Sequence, residues 1–235
     1  MKKLIMMMLL LSAQSMVSGQ QQTKKTLIPF VDFEQKLEAQ AGEAQILDAR
    51  SYEEYQQNHV KGAVNVVDEE QLSAVVKQLN KEKPVFVYSI GNGRSGKLAV
   101  LLQELGFGEV YEFPGGLSKW IGKGKPVEST VDEGLSLADF QEQVKADQLV
   151  LVDVGSRYCG GCQKLKPVVA EVVSEHSDVF KLVDIEAYDN KQLIKELAVE
   201  ALPTLILYKE NEVVWKKTGL SSKEEIVNQL NKHKL

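Results

Sequence analysis

VLVDVGSRYCGGC, residues 150–162, runs from a string of apolar residues through a short polar turn into two cysteines. The apolar run over 148–154 is rich in Val and Leu, so it reads as a strand buried on both faces. Residues 164–176, KLKPVVAEVVSEH, have helical spacing, with a kink or restart expected at Pro167. Cys159 therefore falls between a strand and the helix it feeds, where free amide donors and the positive end of the helix dipole collect. That setting favours thiolate. A free cysteine near pKa 8.5 is only about 3% ionised at pH 7, and a shift to about 7 gives half, a gain of roughly fifteenfold in attacking species.

The chain has two cysteines, Cys159 and Cys162, in one C-x-x-C. A pair so close closes too small a loop to restrain the unfolded chain much, which argues against a structural staple. Structural zinc wants four ligands, and His59, His176 and His233 form no ligand-spaced pair. Redox work is left. Cys159 is expected exposed at the helix start, with Cys162 one turn further in, more buried, as the resolving thiol.

The surrounding elements support an α/β reading. Ser136 with Asp139 opens a helix over 137–144; a strand follows at 180–186, a helix at 190–198, and strands at 202–208 and 212–218. Asn211 suits a turn position that needs positive φ. The tail over 221–231 is an amphipathic helix. This half resembles thioredoxin from about residue 136 onward: VLVDVGSRYCGGC matches the strand and active-site loop, Pro167 the helix-bending proline, Leu202-Pro203-Thr204 the cis-proline loop, and Lys217-Thr218-Gly219 the last strand and its glycine. A cysteine pKa near 7 is that protein's own value. The resemblance implies a mixed sheet with helices on both faces, Cys159 as nucleophile, Cys162 as resolving thiol, and Asp153 as a proton relay whose pKa burial raises. It implies a cis Pro203 beside the dithiol and a substrate groove formed by Tyr158, Leu202 and Pro203. Three places depart from the pattern. Tyr158 stands in place of tryptophan, and Gly160-Gly161 replaces Gly-Pro, which loosens the turn; the lysine that approaches the buried carboxylate is replaced by Leu182.

Ahead of this half, strands at 45–50, 84–88 and 109–113 alternate with helices at 30–41, 51–57, 71–80 and 97–107, the pattern of a parallel sheet covered on both faces. Ser51 with Glu54 forms a capping box. Residues 59–67 read as a turn into a strand, and 114–121 as a final turn. Between 122 and 134 the composition shifts to Gly, Lys, Pro, Glu, Ser and Thr, which places the domain boundary there. The expected division is 26–128 and 129–235.

The loop after the strand at 84–88 contains Gly91-x-Gly93-x-x-Gly96, with Glu112 placed to hold a ribose. A lone fingerprint is weak evidence for a dinucleotide, and this one lies well after the first strand–helix unit. The half resembles a rhodanese domain instead, through Ile46-Leu47-Asp48-Ala49-Arg50, Glu54-Tyr55, the stretch from His59 to Asn65, the loop Ser89, Ile90, Gly91, Asn92, Gly93 and Arg94 with Ser95, and Pro114-Gly115-Gly116-Leu117 with Trp120. In that family the loop opens on a cysteine that accepts a sulfane sulfur. Here it opens on Ser89, and a hydroxyl cannot carry a persulfide, so no sulfurtransferase activity is expected. Loop amides and Arg94 would leave an oxyanion site, or the domain is a scaffold. Asp48 and Arg50 read as structural.

A net charge of -5 argues against nucleic acid as a partner. Lys2 and Lys3, an apolar run over 4–11 and small residues after it have the layout of a signal peptide over 1–19, too short to span a membrane, so export to a periplasm or beyond is expected, with no stable membrane insertion after cleavage. The expected function is a thiol–disulfide oxidoreductase that takes protein or small-molecule disulfides and thiols as partners, together with a separate electron donor or acceptor. No cofactor is called for. Reduction is the expected direction, because the dipeptide lacks the histidine of strongly oxidising relatives. The alternative is a redox-sensing or anion- or partner-binding module in which the rhodanese-like half does the work.

Overall fold

The computed structural model describes residues 25–40, 42–132 and 134–234; the leader expected over 1–19 lies outside them. The N-terminal half runs α1 (Phe30–Glu38), β1 (Gln45–Asp48), α2 (Tyr52–Gln57), β2 (Asn58–His59), β3 (Ala63–Asn65), α3 (Glu69–Val76), β4 (Val85–Tyr88), α4 (Gly93–Glu104), β5 (Val110–Glu112) and α5 (Gly116–Gly122). After β6 (Glu128–Ser129) come α6 (Leu137–Val144), β7 (Leu149–Gly155), α7 (Gly160–His176), β8 (Phe180–Glu186), α8 (Lys191–Glu196), β9 (Thr204–Lys209), β10 (Glu212–Thr218) and α9 (Lys223–His233).

β3-β1-β4-β5 form an all-parallel sheet. All four residues of β4 are buried, as the central strand of a sheet covered on both faces demands. The second sheet, β10-β9-β7-β8, is mixed: β7 and β8 are parallel, and β9 is antiparallel to both β7 and β10. The caps expected at Ser51 and Ser136 form, and two more occur at Asp68 and Ser222. Ser51 and Glu54 close a reciprocal capping box on α2, and Asp68, Ser136 and Ser222 each accept from an N3 amide. Glu210 and Asn211 both take positive φ in the β9–β10 turn. Among the described residues no helix is long and apolar enough to cross a membrane.

Three expectations are corrected. α7 begins at Gly160 and continues through Pro167, so the helix does not restart there. α4 starts at Gly93, so the glycine loop itself winds into the first helical turn. The final turn of the first half is the helix α5, which buries Leu117, Ser118, Trp120 and Ile121 because protein packs on it from both sides; seven residues are too few to display a helical period. In the boundary segment after Gly122, β6 pairs antiparallel with β2 and His59 joins Glu128 at 3.0 Å.

One core cluster runs across both halves, from Phe33, Phe86, Phe113 and Trp120 to Phe140, Val152, Tyr188 and Ile194. Gly122 makes the contact of α5 with the segment after α8 close: a Cβ there would stand 2.1 Å from the Val199 carbonyl oxygen. Arg50, fully buried, pairs with Asp48 and lies over the rings of Tyr88 and Tyr188 at 5.4 and 5.6 Å. Asn58 Nδ2 donates to the Tyr188 carbonyl at 3.1 Å.

Gly116 fixes the loop of Ser89 to α5. Its φ of 64° is left-handed, and a Cβ would meet the carbonyl oxygens of Gly91 at 2.3 Å and Ser89 at 2.6 Å. Both neighbours are backbone and have no side chain to swing away. Gly116→Ala is therefore expected to cost about 2 kcal/mol or more, combining left-handed strain with overpacking; a urea midpoint equal to that of the wild type would show that the loop yields freely.

Candidate functional site

Cys159 is the N-cap of α7, and its Sγ accepts the Cys162 amide at 3.1 Å. The two cysteines form a disulfide. Hydrogen bonding from an amide at a helix start stabilises negative charge on Cys159 when the bond is reduced. The Leu202–Pro203 peptide is cis. Gly161 lets this loop come close to the helix start, because a Cβ on it would already stand 3.0 Å from Pro203 Cδ and 3.8 Å from Cys159 Sγ. A bulkier residue there would press on Pro203.

The order of burial is the reverse of that expected. Cys159 is 5% exposed, whereas Cys162 is half-buried. The cover over Cys159 involves the other half of the chain. The Tyr158 ring lies tilted against that of Tyr188 with centroids 6.3 Å apart, and burial and then Glu53 raise the pKa of its hydroxyl. Leu202 lines a small apolar cavity together with Ser118 and Ile121 of α5. Both residues that flank the groove are thus engaged by α2 or α5, which a reading of the thioredoxin-like half alone cannot foresee.

Asp153 lies on β7, in register with Asp184 of β8. Burial, seconded by the Asp184 charge and opposed by Lys166, pushes its carboxyl up to about 6, and its Oδ1 is buried without a hydrogen-bond partner. Asp184 was not legible as a neighbour of Asp153, since strand register alone places it there. Lys166 had a signal, because it stands four residues after Cys162 on the same helix and so shares its face. The cation near Asp153 is thus supplied by α7, while Leu182 pairs with Leu151 across the sheet. Asp153, Gly155, Cys162 and Lys166 line an open cleft of about 440 Å³.

The raised pKa carries a stability cost. The folded carboxyl keeps its proton to about pH 6 and the unfolded one to about 3.8, so stability falls as pH rises through that window and the cost is complete above it. Two pH units correspond to about 3 kcal/mol. Asp153→Asn is expected to stabilise the fold by about 2–3 kcal/mol at pH 7 and to slow exchange by removing the relay. Denaturant curves at pH 7 and pH 3.5 check this, since the gain must vanish at the lower pH.

The loop from Ser89 to Arg94 is differently equipped from the expectation. Ser89 is fully buried, and its Oγ donates to the Gly91 carbonyl at 3.0 Å and accepts from the Ser95 amide at 3.3 Å. The Ile90 carbonyl accepts from the Ser118 amide and hydroxyl. Asn92 Nδ2 donates to the Phe113 carbonyl at 2.9 Å, and Gly93 begins α4. Arg94, the cation on which anion capture depends, gives Nη1 and Nη2 to Glu54 at 2.6 and 2.7 Å. Glu112, read as a ribose holder, is buried behind the loop and accepts from Thr26 and Ser95. Two protein carboxylates thus hold this loop, and the oxyanion reading loses its cation.

Comparison with known proteins divides the chain in the same order. Residues 132–232 match the thioredoxin family model and residues 32–123 the rhodanese-like domain model. The chain is similar to thioredoxin of Alicyclobacillus acidocaldarius subsp. acidocaldarius, 31% identical over 96 residues that make up 41% of this chain and 91% of that protein. It is 34% identical to thioredoxin of Pyropia yezoensis over 97 residues, again 41% of this chain and 91% of the relative. With thioredoxin of Bacillus subtilis (strain 168) the identity is 33% over 88 residues, 37% of this chain and 85% of the relative.

Proposed function

Since the chain belongs to the thioredoxin family through residues 132–232, with a rhodanese-like domain over 32–123 ahead of them, we propose that it is a thiol–disulfide oxidoreductase working through Cys159 and Cys162. The observation that carries this reading is the Cys159–Cys162 disulfide at the start of α7, with the Cys162 amide on Cys159 Sγ.

In the reduced protein the Cys159 thiolate attacks one sulfur of a substrate disulfide and expels the other as thiolate. Cys162 gives its proton towards Asp153, attacks Cys159 Sγ and releases the second substrate sulfur. Two electrons pass to the substrate and the Cys159–Cys162 bond closes. A carboxyl with its pKa at about 6 takes and returns a proton near neutral pH, which is what this step asks of Asp153. Reduction is the favoured direction, from the absence of histidine between the cysteines. The groove beside Cys159 opens to a protein substrate only where Tyr158 and the Leu202–Pro203 loop part, because Cys159 is 5% exposed.

The rhodanese-like domain transfers no sulfur, since Ser89 cannot form a sulfur–sulfur carrier bond, and it serves as a packed partner to the dithiol domain. Export is proposed from the composition of residues 1–19. The test is catalysis of insulin disulfide reduction in the presence of dithiothreitol, together with Cys162→Ser, in which substrate is expected to stay covalently bound to Cys159. Failure of the wild-type protein to accelerate the reaction would overturn the proposal.

A further inference from the structure

The loop that carries Leu202 and Pro203 is gripped from the other half of the chain, at a residue with no part in the chemistry above. We propose that Glu200 is a positioning residue for disulfide exchange: α5 of the rhodanese-like half holds it and thereby presets the Leu202–Pro203 wall of the substrate groove. This rests on the dithiol and its groove working as proposed above.

The grip is ionic and steric at once. Glu200 Oε1 lies 2.5 Å from Lys123 Nζ, and its Oε2 lies 3.4 Å from Lys119 Nζ. The Lys123 hydrogen bond, ahead of any other cause, holds the Glu200 carboxyl below the usual carboxylate range. On the same helix Gly122 brings the two backbones together, because a Cβ on it would stand 3.1 Å from Glu200 Cα as well as against the Val199 carbonyl. Two residues further on, Leu202 lines its small apolar cavity with Ser118 and Ile121 of α5.

The rest of the loop is fixed from its own half. Lys216 Nζ of β10 donates to the Leu197 and Ala198 carbonyls at 2.9 Å each, and Ala198 takes a left-handed φ of 48°. Thr204 Oγ1 donates to the Ala201 carbonyl at 2.7 Å, and the Gly219 amide to the Pro203 carbonyl at 2.8 Å. A wall held from both halves costs a protein substrate less to order when it binds. The parting of the groove then falls to Tyr158, and a small disulfide, which needs no wall, gains little from the grip. Lys119, Lys123 and Glu200 are 29%, 41% and 38% exposed, so the pairs are modest in strength and weaken with salt.

Full-length protein reduced beforehand is mixed with insulin and, separately, with 2-hydroxyethyl disulfide, and the two second-order rate constants are compared. Glu200→Gln is expected to lower the insulin constant about threefold to fivefold, the scale of partly exposed ion pairs, and the small-disulfide constant by less than about twofold. Glu200→Lys lowers the insulin constant further by setting a third ammonium group against Lys119 and Lys123, and Glu200→Lys with Lys123→Glu recovers most of it. An insulin constant unchanged or raised in Glu200→Gln, or no recovery in the charge-swapped pair, overturns the proposal. Amide hydrogen exchange over 197–202 reads the same grip without catalysis. Protection is expected to fall in Glu200→Gln and to return in the charge-swapped pair; unchanged protection refutes the grip. A wild-type protein that reduces neither disulfide would sink the oxidoreductase reading instead, and the amide protection would still decide whether α5 presets the loop.

Discussion

Cys159→Ser is expected to lose disulfide exchange by roughly a thousandfold or more, the scale on which removal of a nucleophile is felt. A hydroxyl at that position is not ionised near neutral pH and cannot form the mixed disulfide on which both steps depend. The loss must not come from unfolding. The disulfide closes a loop of only four residues, from Cys159 to Cys162, and the chain-entropy relation assigns such a loop about 2 kcal/mol. A thermal melt of the variant alongside the insulin assay separates the two effects. Full activity in a folded Cys159→Ser protein would remove Cys159 from the chemistry.

Asp48→Ala is expected to cost about 3–5 kcal/mol, the penalty for leaving a buried charge without its partner. Arg50 and Asp48 are both fully buried. Arg50 Nε donates to Asp48 Oδ1 at 2.9 Å, Nη2 donates to Asp48 Oδ2 at 2.6 Å and to the Asn58 carbonyl at 2.5 Å, and the Arg50 amide also donates to Asp48 Oδ1 at 2.9 Å. Nothing else with negative charge reaches the guanidinium among these contacts, and both side chains are fully buried. Because Tyr188 faces the same guanidinium from the other half, the loss is expected to loosen the junction of the two halves as well as the first sheet. Replacing both residues, Asp48→Ala with Arg50→Met, should recover much of the stability, since an apolar pair carries no desolvation penalty. A urea midpoint for Asp48→Ala within error of the wild type would show that the pair contributes nothing.

The reading of the dithiol as redox-active shows how far local sequence reaches. Strand, turn and helix around Cys159 follow from a run of Val and Leu, a polar turn and a helical period, and each is decided within about a dozen residues. The same holds for the capping box at Ser51, the turn at Asn211 and the central strand over Val85–Tyr88. The serine in place of a sulfur carrier at position 89 is likewise a matter of one side chain's chemistry.

What the amino-acid order determined alone is therefore the two α/β halves, their sequence along the chain, and the atoms able to exchange sulfur. How the dithiol is flanked was decided only by tertiary structure: Glu53 of α2 acts on the Tyr158 hydroxyl, and Leu202 lines a cavity with Ser118 and Ile121 of α5. Asp184 beside Asp153 and Glu54 on Arg94 belong to the same class. Burial and ion pairing depend on which distant segments come together, and contacts between residues tens of positions apart leave no periodic trace in the sequence.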